Sequence, residues 1–104
     1  MNQILIRNIE KLKSLCLKYK VKRMFVFGSV NTDAFSPKSD IDFLIAFDDN
    51  LDFSEYTDNY FALQYALRDM FGREIDLVTE RSLSNPYFIQ SVEQSKQLIY
   101  DAAA

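Results

Sequence analysis

The chain has 104 residues, of which 48% are hydrophobic and 14% aromatic, and it carries a formal net charge of -3. This length suits one domain with a single core, so we expect one unit over residues 1–104. The acidic balance argues against binding to a nucleic-acid backbone, which needs clustered Lys and Arg. No apolar run is long enough to span a bilayer or form a signal peptide, so we expect a soluble cytoplasmic protein.

The first half of the chain predicts one helix and two strands. Apolar residues spaced three and four apart predict an amphipathic helix over residues 3–19, with Cys16 packing in the core. The compact run MFVFG, residues 24–28, is too short for a helix and predicts a buried strand. The run DIDFLIAF, residues 40–47, alternates strictly in its apolar positions and predicts a second strand.

The second half predicts a long helix, a strand and a last helix. The long helix starts with a cap at Ser54 and stops at Gly72. The run REIDLVT, residues 73–79, predicts a third strand. Pro86 is typical of a first helical position, so the last helix should begin there. The run QLIY, residues 97–100, can end the chain as helix or as a short strand.

The long helix is apolar on more than one side. Besides its main stripe it carries Phe53, Phe61 and Tyr65. A helix of this kind is either deeply buried or part of an interface. We favour burial of these three residues.

Loop lengths predict the directions of the strands. Residues 30–39 are too few for a helical crossover, so the second strand should return antiparallel and begin near the end of the first. Residues 48–73 allow a crossover helix, so the third strand can run parallel to the second. The expected fold class is α/β (α+β), a small mixed sheet with helices packed on it.

Three carboxylates fall in or beside the predicted strands. Asp40 and Asp42 open the second strand and leave the same face, and Asp76 joins them if the second and third strands are neighbours. Two such carboxylates can hold a pair of ions about 3.5–4 Å apart. Without a cation the like charges would repel. Since the chain has no histidine, Mg2+ is the expected ion and Mn2+ the next choice.

Gly28 and Ser29 lie where the first strand ends and close to where the second begins. A turn without a side chain lets backbone N–H groups approach a phosphate. Alone, a Gly-Ser pair or an Asp-x-Asp on a strand more often belongs to an ordinary turn or a solvated surface. Their combination with a third acid on another strand indicates a phosphate and metal site.

These motifs also carry a family resemblance. The segments GSVNTDAFSPKSDID, REIDLVT and NPYFIQSVEQSKQLIY resemble the minimal nucleotidyltransferases of the DNA polymerase beta superfamily, which are often encoded beside a HEPN-domain partner. The resemblance implies the nucleotidyltransferase fold, a catalytic site and bound ATP. The expected catalytic metal ligands are Asp40, Asp42 and Asp76, and the expected nucleotide contacts are Gly28, Ser29 and Ser39.

The chain departs from the family after the Gly-Ser pair. Family members commonly have Gly-Ser-Arg-x-Arg-Gly. In this chain Val30 and Thr32 stand in place of the two arginines, and Asp33 stands in place of the final glycine. Two positive charges are thereby absent beside the phosphates. The basic residues that could substitute for them are Arg23, Lys38 and Arg73.

The resemblance implies that the chain transfers AMP from ATP to a tyrosine of a HEPN toxin and acts as its antitoxin. A rival hypothesis is an antitoxin that silences its partner by masking it, which the missing arginines favour. A small-molecule transferase of the aminoglycoside type has a similar motif but generally carries an additional domain. The intact set of three acids leads us to favour the enzyme acting on a HEPN partner.

Overall fold

The computed structural model describes all residues 1–104, which form four helices and four strands joined by turns. The helices are α1 (Gln3–Arg7), α2 (Ile9–Lys18), α3 (Phe53–Phe71) and α4 (Pro86–Ser95). The strands are β1 (Val21–Phe27), β2 (Ile41–Phe47), β3 (Ile75–Thr79) and β4 (Gln97–Asp101). Short 3-10 turns follow β1 at Gly28–Asn31 and β3 at Glu80–Ser82. None of the helices has both the length and the apolar composition that crossing a membrane requires.

The four strands form one mixed sheet in the order β3-β2-β1-β4. β1 pairs antiparallel with β2 and with β4, whereas β2 and β3 run parallel. The short connection after β1 and the helical crossover through α3 give the two directions that the loop lengths predict. The predicted α/β fold with a small mixed sheet is therefore confirmed.

The sheet has a heavily packed face and a lightly packed one. On the first face, side chains such as Met24 and Phe43 pack against α1, α2 and α3 in a core of 17 buried residues. On the other face, Phe27 and Leu44 pack against Val92 of α4 in a cluster of 3 buried residues. Because side chains alternate along a strand, the residues between the core positions of β2 and β3 point to the lightly packed face.

The N-terminal helix predicted over residues 3–19 is interrupted at Asn8. The Asn8 side chain donates to the carbonyl of Ile4 at 2.7 Å, and its backbone N–H donates to the carbonyl of Leu5 at 3.0 Å. Asn side chains compete with the helical hydrogen bonds in this way, so two helices form instead of one. Cys16 is fully buried, as predicted, and burial raises its pKa to about 12.

The long helix α3 begins slightly earlier than predicted and ends where predicted. Its cap is Asp52, two residues before Ser54, because an oxygen of Asp52 accepts from the N–H of Glu55 at 2.8 Å. At its other end, Gly72 has a left-handed conformation with φ of 62°. The Gly72 N–H donates to the carbonyl of Arg68 and closes the last turn.

The second apolar side of α3 is exposed, so the predicted burial of Phe53, Phe61 and Tyr65 is wrong. Their exposed fractions are 86%, 61% and 74%. The helix reaches the sheet through its other side, where Leu63 and Leu67 are fully buried. The off-stripe aromatic residues consequently face solvent.

Two strand boundaries depend on pairing between distant parts of the chain. β1 begins at Val21 instead of at residue 24, because Val21 pairs with Phe47 at the far end of β2. Residues 97–100, which could be helix or strand from their sequence, form β4. They pair with the free edge of β1, where Met24 lies opposite Tyr100.

β3 is an edge strand whose outward carbonyls are capped by side chains of α3. The Tyr60 hydroxyl donates to the carbonyl of Leu77, and the Gln64 side chain donates to the carbonyl of Ile75 at 3.5 Å. Burial raises the pKa of Tyr60, which keeps the hydroxyl protonated as a donor. The edge next to Asp76 is thereby tied to the long helix.

We predict that Tyr60→Phe lowers the free energy of unfolding by about 1 kcal/mol, because the carbonyl of Leu77 loses its donor. Tyr65→Phe is the matched control, since Tyr65 is 74% exposed on the same helix. The control should stay within about 0.5 kcal/mol of the native protein. Urea denaturation measures both values, and equal values for the two variants would show that the bond contributes nothing.

Candidate functional site

Asp42 of β2 and Asp76 of β3 are partners in the parallel register. The next residues, Phe43 and Leu77, are buried in the main core, so alternation turns both carboxylates to the opposite face. Asp42 is half-buried and Asp76 is exposed. The structure thus places the two acids side by side on one face, in agreement with the strand pattern.

Asp40 lies one residue before β2 and is exposed, and its charge acts on Asp42. Burial, followed by the charges of Asp76 and Asp40, raises the pKa of Asp42 to about 6. All three carboxylates therefore contribute to a negative potential at this edge of the sheet. Ionisation of Asp42 in the folded protein has a free-energy cost that a bound cation would offset.

The chemistry of these donors fits a hard divalent cation. Carboxylate oxygens are the ligands that Mg2+ and Mn2+ prefer, and the chain has no histidine to favour zinc. No three acidic side chains form a ready set of ligands around one point. Mg2+ commonly completes its shell with water and substrate phosphates, so Asp40, Asp42 and Asp76 would supply part of the coordination.

Gly28 follows β1 directly and lies against Asp42. Phe27 is paired with Asp42 across the antiparallel strands, and a Cβ built on Gly28 would overlap an oxygen of the Asp42 carboxylate. Gly28 also has φ of 77°, in the left-handed region that a side chain disfavours. The glycine is therefore required both by its own conformation and by the carboxylate beside it.

Ser95 is a neighbour of this turn that sequence reasoning missed. Its hydroxyl accepts from the Gly28 N–H at 3.3 Å, and its carbonyl accepts from the Asn31 side chain at 3.0 Å. Ser95 is the last residue of α4, so the end of this helix is tied to the turn. A phosphate that bound the Gly28 N–H would have to displace the Ser95 hydroxyl.

The residues after the Gly-Ser pair do not offer a positive charge. Ser29 lies in the 3-10 turn, and its carbonyl accepts from the Thr32 N–H at 2.9 Å. Val30 is 2% exposed and belongs to the main core, whereas Thr32 and Asp33 are exposed. Val30 therefore serves packing, at a position where the family resemblance led us to expect arginine.

Arg23 is not placed to replace the missing arginines. It makes two hydrogen bonds to Glu80, at 3.0 and 2.9 Å. Arg23 also lies opposite Ala46, four residues along β2 from Asp42. That separation corresponds to about 13 Å of extended strand.

Lys38 and Arg73 are the other two basic residues that could replace the missing arginines. Lys38 lies in the loop before Asp40, and Arg73 contacts that loop. Arg73 donates to the carbonyls of Ser36 and Ser39, both at 3.1 Å. Ser39 also bonds to Ser36 through its N–H and its hydroxyl, each at 3.0 Å, so this predicted nucleotide contact belongs to a tight turn. Lys38 is exposed and makes no ion pair. It is the nearest uncommitted positive charge in sequence to Asp40.

The chain matches the family described as Nucleotidyltransferase domain over residues 9–99 and belongs to that family. A Methanocaldococcus jannaschii relative named "Putative protein adenylyltransferase MJ0128" is 39% identical over 88 residues. The match covers 85% of this chain and 84% of the relative. The chain is therefore a nucleotidyltransferase, as its motifs imply.

Solved structures show the same fold. A structure described as "putative minimal nucleotidyltransferase" has a TM-score of 0.71 and 30% identity, covering 93% of this chain and 95% of its own. A chain of a toxin-antitoxin complex with AMP-PNP has a TM-score of 0.70 and 25% identity, and the match covers 90% of this chain and 73% of that one. The third structure is the complex of a tri-AMPylated Shewanella oneidensis HEPN toxin with MNT antitoxin. A chain of this complex has a TM-score of 0.65 and 23% identity, and the match covers 92% of this chain and 71% of that one.

We predict that Asp42→Asn stabilises the metal-free protein at pH 7.5 by about 1 kcal/mol, a value discounted for the partial exposure of Asp42. The folded-state pKa of Asp42 is raised to about 6, so its ionised form opposes folding above that pH. At pH 4 the native carboxyl is protonated in the fold, and the stabilisation should largely disappear. Urea denaturation in EDTA at both pH values measures it.

Asp58→Asn is the control for this measurement, because Asp58 is exposed on α3. It should leave the free energy of unfolding nearly unchanged at both pH values. A destabilised Asp42→Asn variant at pH 7.5 would contradict the prediction and show that the carboxylate supports the fold.

We predict that Gly28→Ala destabilises the protein by about 2–3 kcal/mol, because the left-handed conformation costs about 1–2 kcal/mol and the overlap with Asp42 adds to it. Gly72→Ala is the matched control. Its φ of 62° is similar, but nothing lies within 4 Å of the added Cβ. Thermal and urea unfolding should show the larger loss at Gly28, and equal losses would mean that Asp42 yields without cost.

Proposed function

We propose that the chain transfers AMP from ATP to a tyrosine hydroxyl of a HEPN-domain protein, with Mg2+ as its metal ion, and that it acts as the antitoxin of this partner. The observation that carries the proposal is the pairing of Asp42 with Asp76 beside the Gly28 turn, where burial and the charges of Asp76 and Asp40 raise the pKa of Asp42 to about 6. The relative named as a protein adenylyltransferase supports AMP as the transferred group. The toxin-antitoxin complexes of the same fold support the choice of partner.

Asp40, Asp42 and Asp76 would hold the ion, and Mn2+ could replace Mg2+. Bound there, the ion would neutralise triphosphate charge and lower the pKa of the acceptor hydroxyl. Asp76 is exposed at the sheet edge, so a partner's side chain can approach it. Asp76 is the best placed of the three acids to orient that hydroxyl or receive its proton.

In the transfer itself, the tyrosine oxygen forms a bond to the α-phosphorus of ATP. The bond between this phosphorus and the oxygen that bridges to the β-phosphate breaks, and pyrophosphate leaves. Gly28, Ser29 and Ser39 lie in the turns beside Asp42 and Asp40 and are the proposed contacts of the triphosphate. Their contribution is to align the α-phosphorus with the acceptor.

Masking of the partner without chemistry is the second candidate function. Two observations favour it: the buried Val30 leaves no arginine beside the Gly-Ser pair, and Phe53, Phe61 and Tyr65 offer exposed apolar area for a contact. A mask needs the surface of the chain but not its carboxylates. The two functions therefore respond differently to a change at Asp42.

We predict that the native chain, ATP and Mg2+ add one AMP mass or more to the neighbouring HEPN protein and silence its ribonuclease activity. Asp42→Asn should abolish both effects, because the carboxylate would hold the ion that stabilises transition-state charge. It should leave binding of the partner nearly unchanged. Intact mass, ribonuclease activity and co-elution measure the three properties.

Asp58→Asn should behave as the native chain in all three measurements. Asp58 lies on α3, whereas Asp40, Asp42 and Asp76 lie in or beside β2 and β3. An Asp42→Asn variant that still silences its partner with no change of mass would establish masking instead. A native chain that neither modifies nor binds the HEPN protein would contradict both functions.

A further inference from the structure

Arg73 makes an unusual set of contacts at the entrance to the site. It lies between the end of α3 at Gly72 and the start of β3, and it is half-buried. One guanidinium nitrogen donates to the carbonyls of Ser36 and Ser39, both at 3.1 Å. The guanidinium carbon lies 4.6 Å from the centre of the Phe35 ring. A single side chain therefore contacts three residues of the loop before Asp40.

The charge of Arg73 is not used in an ion pair. The neighbouring Arg68 pairs with Glu74 at 3.0 Å and Arg23 pairs with Glu80, whereas Arg73 has only carbonyl and aromatic partners. Its Nε atom is buried without a partner. The guanidinium group of Arg73 combines two hydrogen bonds from one nitrogen with a contact over the Phe35 ring, whereas lysine has no planar group to place over that ring.

The loop that Arg73 holds leads directly into the carboxylate site. Ser39 precedes Asp40, so its carbonyl belongs to the peptide that joins the two residues. On the other side of Asp40, the Ile41 N–H donates to the carbonyl of Glu74 at 3.3 Å. Asp40 is thus fixed from both sides by residues 73 and 74, which directly precede the strand that carries Asp76.

We propose that Arg73 is a positioning residue of the metal site. It holds residues 35–39 against the start of β3 and thereby sets the position of Asp40 relative to Asp42 and Asp76. Its role is to tie the carbonyls of Ser36 and Ser39 and the Phe35 ring together through one planar group, and its positive charge does not replace the arginines absent after Ser29. This inference rests on the proposed metal site, and its test separates the two.

The metal affinity reports this role directly. Changes to groups that orient metal ligands typically weaken metal binding by about 10–100-fold. We expect Arg73→Gln and Arg73→Lys each to weaken Mn2+ binding by about tenfold or more, measured from the signal of free Mn2+ in electron paramagnetic resonance. The lysine variant keeps the charge but lacks the planar group that lies over the Phe35 ring, so it should not restore binding.

The order of the loop supplies a readout that needs no metal. Hydrogen–deuterium exchange of peptides covering residues 35–39 should become faster in both Arg73 variants, in EDTA as well as with Mn2+. Arg68→Gln is the matched control, because Arg68 is an exposed arginine in the last turns of α3 whose partner is the Glu74 carboxylate. It should leave both Mn2+ binding and loop exchange unchanged.

The free energy of unfolding of the Arg73 variants, measured in urea, shows whether Arg73 only supports the fold. If an Arg73 variant does not fold, Phe35→Leu removes the stacked ring while keeping an apolar side chain, and it should weaken Mn2+ binding in the same direction by a smaller factor. Variants that are less stable but bind Mn2+ as tightly as the native chain would overturn the proposal. So would full binding by Arg73→Lys, which would assign the effect to charge.

The native protein and Asp42→Asn decide what a negative result means. Native protein that binds Mn2+, together with Arg73 variants that bind it equally well, contradicts the role of Arg73 alone. Native protein that binds no more Mn2+ than Asp42→Asn contradicts the proposed metal site, and with it the inference that depends on that site.

Discussion

The contact between Asp42 and Gly28 determines how the candidate site is built. No side chain fits between the carboxylate and the turn, and the turn itself has a left-handed conformation that favours glycine. Because Phe27 is paired with Asp42, the chain must turn away from the sheet just as it passes the carboxylate. The parallel pairing of β2 with β3 brings Asp76 beside Asp42 from the other side. Two neighbouring strands and one turn thus converge on a single carboxyl group.

This crowding is located on the side of the sheet that contributes less to stability. The 17-residue core lies on the opposite face, whereas only Phe27, Leu44 and Val92 are buried on the face of the acids. The well-packed face can therefore tolerate repulsion among carboxylates that opposes folding in the absence of a cation. A ligand that binds the folded site and offsets the repulsion will stabilise the whole domain by mass action.

Alternation and loop length predicted that Asp42 and Asp76 share a face if β2 and β3 are neighbours, because both follow from local periodicity and from the reach of the chain. The pairing of β2 with β3 itself came from the structure. The contacts of Ser95 and Arg73 could not be predicted in this way. Ser95 lies 67 positions from Gly28, and Arg73 lies 37 positions from Ser36. Neither spacing nor residue type marks such pairs in the sequence. The exposure of Phe61 was missed for a different reason, since an apolar helix surface has the same sequence whether it is covered or open.

The capped edge of β3 restricts how an acceptor can reach Asp76. Many proteins capture extended peptides by letting them pair with an exposed strand, a mode called β-augmentation. Here the outward carbonyls of Leu77 and Ile75 already accept hydrogen bonds from α3, so an added strand would have to displace Tyr60 and Gln64. For the proposed protein acceptor, this edge therefore favours a hydroxyl on a protruding side chain of a folded surface over one on an extended segment that pairs with β3.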